Sequence, residues 1–329
     1  MNIAVLGCGG LGAVHADIYA KLEGVRLTGV CDVRQEMADV LSKRTGAPAY
    51  ASFQHMLEEA DIDAVSIALP TYLHKEYTLL AAKARKHVIC EKPIALTLED
   101  AEEMIACCEE NGVRLFIGHV VRFFPDYANM KRALDEGSLG KSAVAHASRV
   151  GGHPGAAWYA NIEQSGGVIT DLMIHDLDFL RWCLGEVRSV YALNTRREGM
   201  DYALVTLEFE NDAVANVEAH WGYPGPFHTK AEIAGSGGII RADSLRSSSL
   251  TIRRTAGADK SGGIEIPQSP TFRSPYELQL EHFVACIRDS SEPLVTARDA
   301  YKALELAKAA YESVSSGKAV VIGKERVRA

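Results

Sequence analysis

The stretch Thr170–Asp178, TDLMIHDLD, sets an imidazole among carboxylates at spacings suited to a helix. Helical residues advance by about 100° each, so Asp171, His175 and Asp178 fall in one stripe, which Trp182 continues. Met173, Leu177, Leu180 and Leu184 make the opposite, apolar stripe, while Leu172, Ile174 and Phe179 border the polar one. Asp176 points elsewhere on the helix. An imidazole ionises near neutral pH, and a carboxylate one turn away can bias it toward its protonated form. The stripe is therefore equipped for proton transfer. An inert ridge of hydrogen bonds fits the same spacing, and Asp178 suits bonding to neighbouring backbone as well as it suits lining a site.

A second candidate is Gly7-Cys-Gly-Gly-Leu-Gly12, which fits Gly-x-Gly-x-x-Gly between a strand-like run, Ile3–Leu6, and a helix-like one, Leu11–Leu22. The first glycine of such a turn permits a tight bend, the second admits a pyrophosphate to the backbone, and the third lets helix and strand pack closely. Free N–H groups and the helix dipole favour the phosphate charge, so Gly7, Gly9, Gly10, Leu11 and Gly12 are candidate cofactor residues. Asp32 ends the next strand-like run, twenty positions after Gly12. A carboxylate there bonds an adenosine ribose diol and repels a 2′-phosphate, which favours NAD. Arg34, able to lie over adenine or accept a phosphate, keeps NADP as the alternative. Glu91-Lys92-Pro93 follows the run Val88–Cys90. Ligands of open α/β sheets bind outside the carboxyl ends of strands, and a lysine there, beside a proline that fixes the backbone, can point its ammonium at a ligand. A solvated loop lysine is the competing reading.

These residues need elements to hold them. Up to about residue 120, short apolar runs alternate with helical patterns: strands at Ile3–Leu6, Leu27–Cys31, Ala64–Leu69, Val88–Cys90 and Leu115–Gly118, helices near Leu11–Leu22, Arg34–Lys43, Leu73–Ala84 and Leu98–Asn111. That pattern predicts a doubly wound parallel sheet covered on both faces. After a connecting helix near Pro125–Glu136 come strand-like runs at 141–150, 187–196, 202–209, 213–221, 229–234 and 238–242. Rough period-two alternation in two of them predicts an antiparallel sheet buried on one face, with the helix at 168–184 packed on it. Helices near Tyr276–Arg288 and Ala297–Ser315 and a short strand, Ala319–Ile322, close the chain. Ser244–Ser249 and Gly257–Gly263 read as mobile loops.

Composition narrows the function classes. The 329 residues carry 24% charged and 47% hydrophobic side chains and a net charge of −8 with no basic block, which argues against a nucleic-acid partner. Apolar stretches are too short for a bilayer span, and the opening MNIAVLG has no basic leader. Seven scattered cysteines, none in Cys-x-x-Cys, read as reduced thiols of a cytoplasmic protein, with Cys8, Cys31 and Cys90 as small buried residues. Eleven dispersed histidines without His-x-x-x-His give no metal-site spacing, so no metal is expected.

Taken together, the Gly7–Gly12 turn, Asp32, Pro70-Thr71, Glu91-Lys92-Pro93, Arg122-Phe123, and Gly166-Gly167 followed by Asp171-x-x-x-His175 resemble the glucose–fructose oxidoreductase / inositol dehydrogenase (Gfo/Idh/MocA) family. The resemblance runs from the first strand through the helix at Arg298–Ser315. It implies an α/β protein: an NAD(P)-binding Rossmann domain at 1–120, then an α/β domain at 121–329 with an open, mostly antiparallel sheet for substrate binding and oligomerisation. The C-terminal helix and strand would be able to pack back toward the first domain. It further implies a homodimer or homotetramer formed through the exposed sheet face. By the same resemblance Lys92 is the active-site lysine, Asp171 its acidic partner and His175 the catalytic histidine. Pro70, Thr71 and His74 match the loop near the nicotinamide-side ribose, with Tyr72 where the family often has Asn, and Glu91 joins the cofactor set.

Those residues suit oxidation of a secondary alcohol. His175 takes the hydroxyl proton, Lys92 stabilises the developing alkoxide, and Asp171 bonds substrate or biases the imidazole. On the substrate side, Trp158 and Tyr159 suit the apolar face of a sugar, and His153 or Arg149 its hydroxyls or a carboxylate; an interdomain packing loop is the competing reading. Arg122 is a further substrate-side candidate, with a structural salt bridge as its alternative. The loop at 149–159 differs from the His-Arg-Asn-Pro type of inositol dehydrogenases, which argues against myo-inositol. Three functions follow: an NAD(P)-dependent dehydrogenase of a sugar, polyol or inositol-like alcohol; a glycoside hydrolase working through transient oxidation with bound NAD; or a non-catalytic sugar- and nucleotide-binding regulator.

Overall fold

The computed structural model describes residues 1–246, 250–254, 264–265 and 273–323. Of the two loop segments expected from sequence, 244–246 form a turn, while 247–249 and 257–263 lie outside the described residues. The chain divides into two compact units, Met1–Val120 with Glu163–Ser165 and Arg273–Tyr301, and Val121–Ile162 with Gly166–Phe272 and Lys302–Ala329.

In the first unit β1 (Asn2–Leu6), β2 (Arg26–Cys31), β3 (Ala49–Tyr50), β4 (Ala64–Ile67), β5 (His87–Glu91) and β6 (Leu115–Gly118) form a parallel sheet in the order β3-β2-β1-β4-β5-β6. Ile3, Ala4, Val5, Val65 and Ile67 are wholly buried, as parallel strands covered on both faces require. Helices α1 (Gly10–Tyr19), α2 (Gln35–Thr45), α3 (Phe53–Glu59), α4 (His74–Lys83) and α5 (Leu98–Glu110) connect them. From β1 the chain winds out to β3, then returns to β4 on the other side. The strand order therefore reverses between β1 and β4, where the carboxyl ends leave a crevice. β3 and α3 were not anticipated from periodicity. Two and seven residues are too few to show a period, and what starts α3 is its cap, Ser52 Oγ, which accepts the His55 N–H at 3.2 Å.

The second unit holds α6 (Pro125–Asp135), β7 (Ser142–Gly151), the short α7 (Ala157–Ala160) and α9 (Ile174–Leu184), with α8 (Ile162–Ser165) between the last two in the chain. It continues with β8 (Val187–Arg197), β9 (Met200–Phe209), β10 (Val214–Trp221), β11 (His228–Gly235), β12 (Gly238–Asp243), β13 (Leu250–Arg254) and β14 (Ile264–Glu265). After α10 (Pro275–Asp289), which belongs to the first unit, and α11 (Ala297–Ser316), β15 (Val320–Val321) completes a sheet ordered β14-β13-β12-β11-β7-β10-β9-β8-β15 among the described residues. Among the described strands of this sheet only the β7–β10 pair is parallel. One face is buried: Ala145, Ala147, Val205, Leu207, Val217 and Ala219 join Met173, Leu177 and Leu180 of the helix across from them. Each such leucine contributes about 1.5–3 kcal/mol by burial.

The helix expected over 168–184 is not uniform. Ile169–Met173 is a π turn, and α9 follows it. An i→i+5 turn advances less than an α turn per residue, so Asp171 sits off the stripe that a uniform helix would give. The approach is fixed by Gly166 and Gly167, both left-handed at φ 74° and 72°. A side chain on Gly166 would stand 2.6 Å from Thr170 Cβ.

Candidate active site

In the first unit the site begins with the turn after β1. Gly7 has φ 95°, and a Cβ there would run into the Ala68 carbonyl of the neighbouring strand end. A Cβ on Gly12 would strike the Gly7 carbonyl, so the helix lies against the turn as the motif demands. Gly9 and Gly10 differ: a Cβ on either meets nothing within 4 Å, so their backbone borders open space. Gly9 caps α1 without a side-chain hydrogen bond, and Leu11 is half-exposed. This is a cradle that a pyrophosphate fits, with the first amides of a helix behind it.

Asp32, buried at the end of β2, is held by the turn itself. Its Oδ2 accepts the Cys8 N–H at 2.8 Å and its Oδ1 the Arg34 N–H at 2.9 Å. The Arg34 side chain stays mostly exposed, its Nε 3.5 Å from Asp32 Oδ1. Burial, followed by the Asp32 charge, pushes the Cys8 thiol up to about 12 and the Cys31 thiol up to about 11. Cys8, Cys31 and Cys90 are all buried.

The ends of β4 and β5 supply the rest. Thr71 is buried in a 3₁₀ turn that Pro70 opens, while Tyr72 is exposed. His74 is enclosed, with Nδ1 2.8 Å from the Pro93 carbonyl and Nε2 2.9 Å from that of Leu69. Burial lowers its pKa below the ordinary value, against the two carbonyls, which raise it. It thus ties the loop after β4 to Pro93, whose bond to Lys92 is cis. Glu91, 4% exposed, turns inward, with Oε1 3.1 Å from His15 Nε2. Burial opposes its charge, but His15, together with the Lys92 and His74 charges, outweighs it and holds the carboxyl below its usual range. Sequence reading had not singled out His15; its only signal is a histidine three residues past the last glycine of the turn.

In the second unit α9 is anchored by two buried, bidentate ion pairs. Arg149 on β7 meets Asp176 at 2.8 and 3.0 Å, and Arg122 meets Asp178 at 2.9 and 2.6 Å. Burial disfavours the Arg149 charge, yet the Asp176 carboxylate overrides it and raises the pKa. Arg122 also lies 5.2 Å from the Trp182 ring centre, next along the helix. Asp178 is therefore half of a salt bridge, and Arg122 commits its Nε and one terminal nitrogen to it. His175, one residue before Asp176 and three before Asp178, keeps partial exposure, while Asp171 is 7% exposed.

The loop after β7 gathers its aromatics. Trp158 stacks on Tyr159 at 3.8 Å, Tyr159 meets Trp221 edge-on at 5.7 Å, and His153 lies 5.5 Å from Trp221. Trp221 escaped sequence reading as a site residue because it looks like a strand end; register opposite Gly151 brings it to this loop. Among the described residues no group of three His, Cys, Asp or Glu could hold a metal, and no helix is long and apolar enough to cross a membrane.

Comparison with known proteins agrees with this architecture. Residues 1–119 match an oxidoreductase family's NAD-binding Rossmann fold, and 131–322 match that family's C-terminal α/β domain. A scyllo-inositol 2-dehydrogenase (NAD(+)) from Bacillus subtilis is 34% identical over 339 aligned positions, covering 99% of this chain and 97% of the relative. A 2,7-anhydro-N-acetylneuraminate hydratase from Escherichia coli is 31% identical, covering 80% and 71%. A levoglucosan dehydrogenase solved with NADH and L-sorbose superposes with TM-score 0.90 over 98% of each chain, a likeness of fold alone at 21% identity. With an NAD-binding Rossmann domain and its companion α/β domain matched in sequence, the chain is an NAD-dependent oxidoreductase of the Gfo/Idh/MocA family.

Proposed function

We propose that the protein is a dehydrogenase that oxidises a secondary alcohol of a sugar, polyol or inositol-like compound. The observation that carries this is the chain-long likeness to a scyllo-inositol 2-dehydrogenase, joined to a nucleotide cradle and an α9 anchored by two buried ion pairs in the turn that follows His175. The Gly7–Gly12 turn and Asp32 would hold the pyrophosphate and adenosine ribose of NAD, with Pro70, Thr71 and the Glu91–Lys92 segment toward its other half. The bound cofactor supplies the hydride acceptor.

His175 takes the substrate's hydroxyl proton and returns it in the reverse direction, since an imidazole titrates near neutral pH. Lys92 donates a hydrogen bond to the same oxygen and stabilises its negative charge. Asp171 supports the imidazole or a neighbouring hydroxyl. Trp158, Tyr159 and His153, gathered around Trp221, suit the apolar face and hydroxyl rim of a cyclic polyol. The protein works in the cytoplasm as a homodimer or homotetramer, joined through the exposed sheet face of the second unit.

A panel of cyclitols, aldoses, amino sugars and uronic acids offered with NAD and with NADP, read by absorbance of the reduced nicotinamide, tests the reading. The expected result is turnover with NAD by at least one compound. His175→Ala should lower kcat by about 10²–10⁴-fold, the range of general acid–base catalysis. Unchanged turnover in that variant would remove His175 from the mechanism. The hydratase relative favours a second reading, transient oxidation without net redox change. Product formed from a glycoside or anhydrosugar without accumulation of NADH would select it.

A further inference from the structure

The proposed mechanism leaves out a buried polar chain behind the nucleotide turn. His15 lies on α1, three residues past Gly12, and is 1% exposed. Its Nδ1 is 2.8 Å from Ser66 Oγ on β4, and its Nε2 is 3.1 Å from Glu91 Oε1 at the end of β5. The Tyr19 hydroxyl, one helical turn on, donates to Ser66 Oγ at 3.4 Å. Ser66 and Tyr19 are wholly buried. Tyr19 donates to Ser66, Ser66 Oγ pairs with His15 Nδ1, and His15 Nε2 lies in ion-pair range of the buried Glu91 carboxylate.

Glu91 has no room to retreat. A Cβ on Gly118, at the end of the adjacent β6, would stand 2.9 Å from its Oε1. Its other neighbour in the chain is Lys92, and after that Pro93, whose carbonyl is fixed by His74. The end of β5 is thus tied on one side to α1 through His15, and on the other to α4 and the β4 loop through His74.

We propose that the His15–Glu91 pair is a brace that sets the distance between the phosphate turn and the Lys92 strand end, making His15 a positioning residue for the nicotinamide half of the cofactor. Sheet order supplies the reason. Asp32 belongs to β2, on one side of β1, whereas Ser66 and Glu91 belong to β4 and β5 on the other. A dinucleotide across the switch point rests its adenosine half toward β2 and its nicotinamide half toward β4 and β5, with the α1 N-terminus at the pyrophosphate between them. His15 joins that helix to both strands of the far half, to β4 through Ser66 and to β5 through Glu91. The inference deepens the site reading above and rests on its placement of the nicotinamide half beside Lys92.

Calorimetric titration of the full-length protein with ADP and with NADH tests it, since ADP uses only the turn and the β2 side. Expected for His15→Ala is a loss of about tenfold or more in NADH affinity, as for other supporting residues behind a ligand site, with ADP affinity within about twofold. His15→Gln, which keeps an N–H near the Nε2 position, should restore NADH binding to within about threefold of wild type. Gly118→Ala presses on Glu91 from its other side without opening a gap, and should give the same selective loss should His15→Ala not fold. Equal weakening of ADP and NADH, or NADH binding unchanged in both His15→Ala and Gly118→Ala, would overturn the brace. Neither titration requires turnover, so a failure of the polyol screen would leave this result to stand by itself.

Discussion

His74 shows how a single side chain can carry pH dependence here. A neutral imidazole has one N–H, so it can serve only one of the two carbonyls, Pro93 at 2.8 Å and Leu69 at 2.9 Å, that face its nitrogens. An imidazolium would serve both, yet burial outweighs them and lowers the pKa in the folded protein. The sign follows from linkage. Below the unfolded value of about 6.5, the unfolded chain takes up a proton that the folded chain resists, so stability falls as pH drops through that window; above it the contribution is complete. His87 and His282 are lowered by burial too and act in the same direction. His74→Gln, which has an amide donor but cannot ionise, should therefore flatten the loss of urea-unfolding free energy between about pH 7 and pH 5.5. An identical pH slope in the variant would place the proton uptake elsewhere. The thiols in and beside the nucleotide turn, Cys8 and Cys31 at the end of β2, make a complementary case. With Cys8 pushed up to about 12 and Cys31 up to about 11, both stay protonated at neutral pH, and both are 3% exposed. Iodoacetamide at neutral pH should label them only after unfolding, as peptide mass analysis would show; rapid labelling of the folded protein would contradict their burial.

At the scale of elements, the turn and α9 are built on different principles, and substitutions separate them. A Cβ on Gly12 would strike the Gly7 carbonyl, so Gly12→Ala should cost about 1–3 kcal/mol of unfolding free energy through overpacking. A Cβ on Gly9 meets nothing, so Gly9→Ala should stay within about 1 kcal/mol of wild type, the scale of a helix-cap change. It should nonetheless bind NADH far more weakly, because the methyl stands where the pyrophosphate approaches. Near-normal NADH affinity in Gly9→Ala would move the cofactor off the turn. In α9 the test is the buried pair. Asp178→Ala strands the Arg122 guanidinium in a buried setting and should cost about 3–5 kcal/mol, most of it recovered by Arg122→Met combined with Asp178→Leu. The same contrast explains what could be read from sequence. The glycine turn was legible because local backbone geometry dictates each glycine, and Asp32 because it follows at a fixed spacing. The Arg122–Asp178 pair joins residues 56 apart, and His15–Ser66 residues 51 apart, with no period to announce either. The π turn at Ile169–Met173 was missed because it keeps the apolar composition of the helix while shifting its register by part of a turn.

At the scale of the whole molecule, what remains to be accounted for is the outer face of the second sheet. On that face Leu193 pairs with Leu204 and Val214 with Val144, and Tyr191 stands two residues before Leu193. All five are exposed large hydrophobics, Leu193 at 55%. Charged and polar side chains surround them, among them Glu218, Lys230, Glu232 and Arg241 of a 260 Å³ depression on the same sheet. Two apolar pairs on one sheet face, with polar side chains between and around them, suit a self-complementary contact in which each copy presents the same face about a two-fold axis. Light scattering coupled to size exclusion should accordingly give a particle of two or four 35.7 kDa chains. Placing two carboxylates on the face, as Leu193→Asp with Leu204→Asp, should shift the particle to the single chain, since four like charges would then be brought into the contact of each pair of copies. NADH affinity should survive that change, because the phosphate turn belongs to the first unit. A wild-type protein that runs as one chain at every concentration tested would rule out the sheet face as an interface between copies.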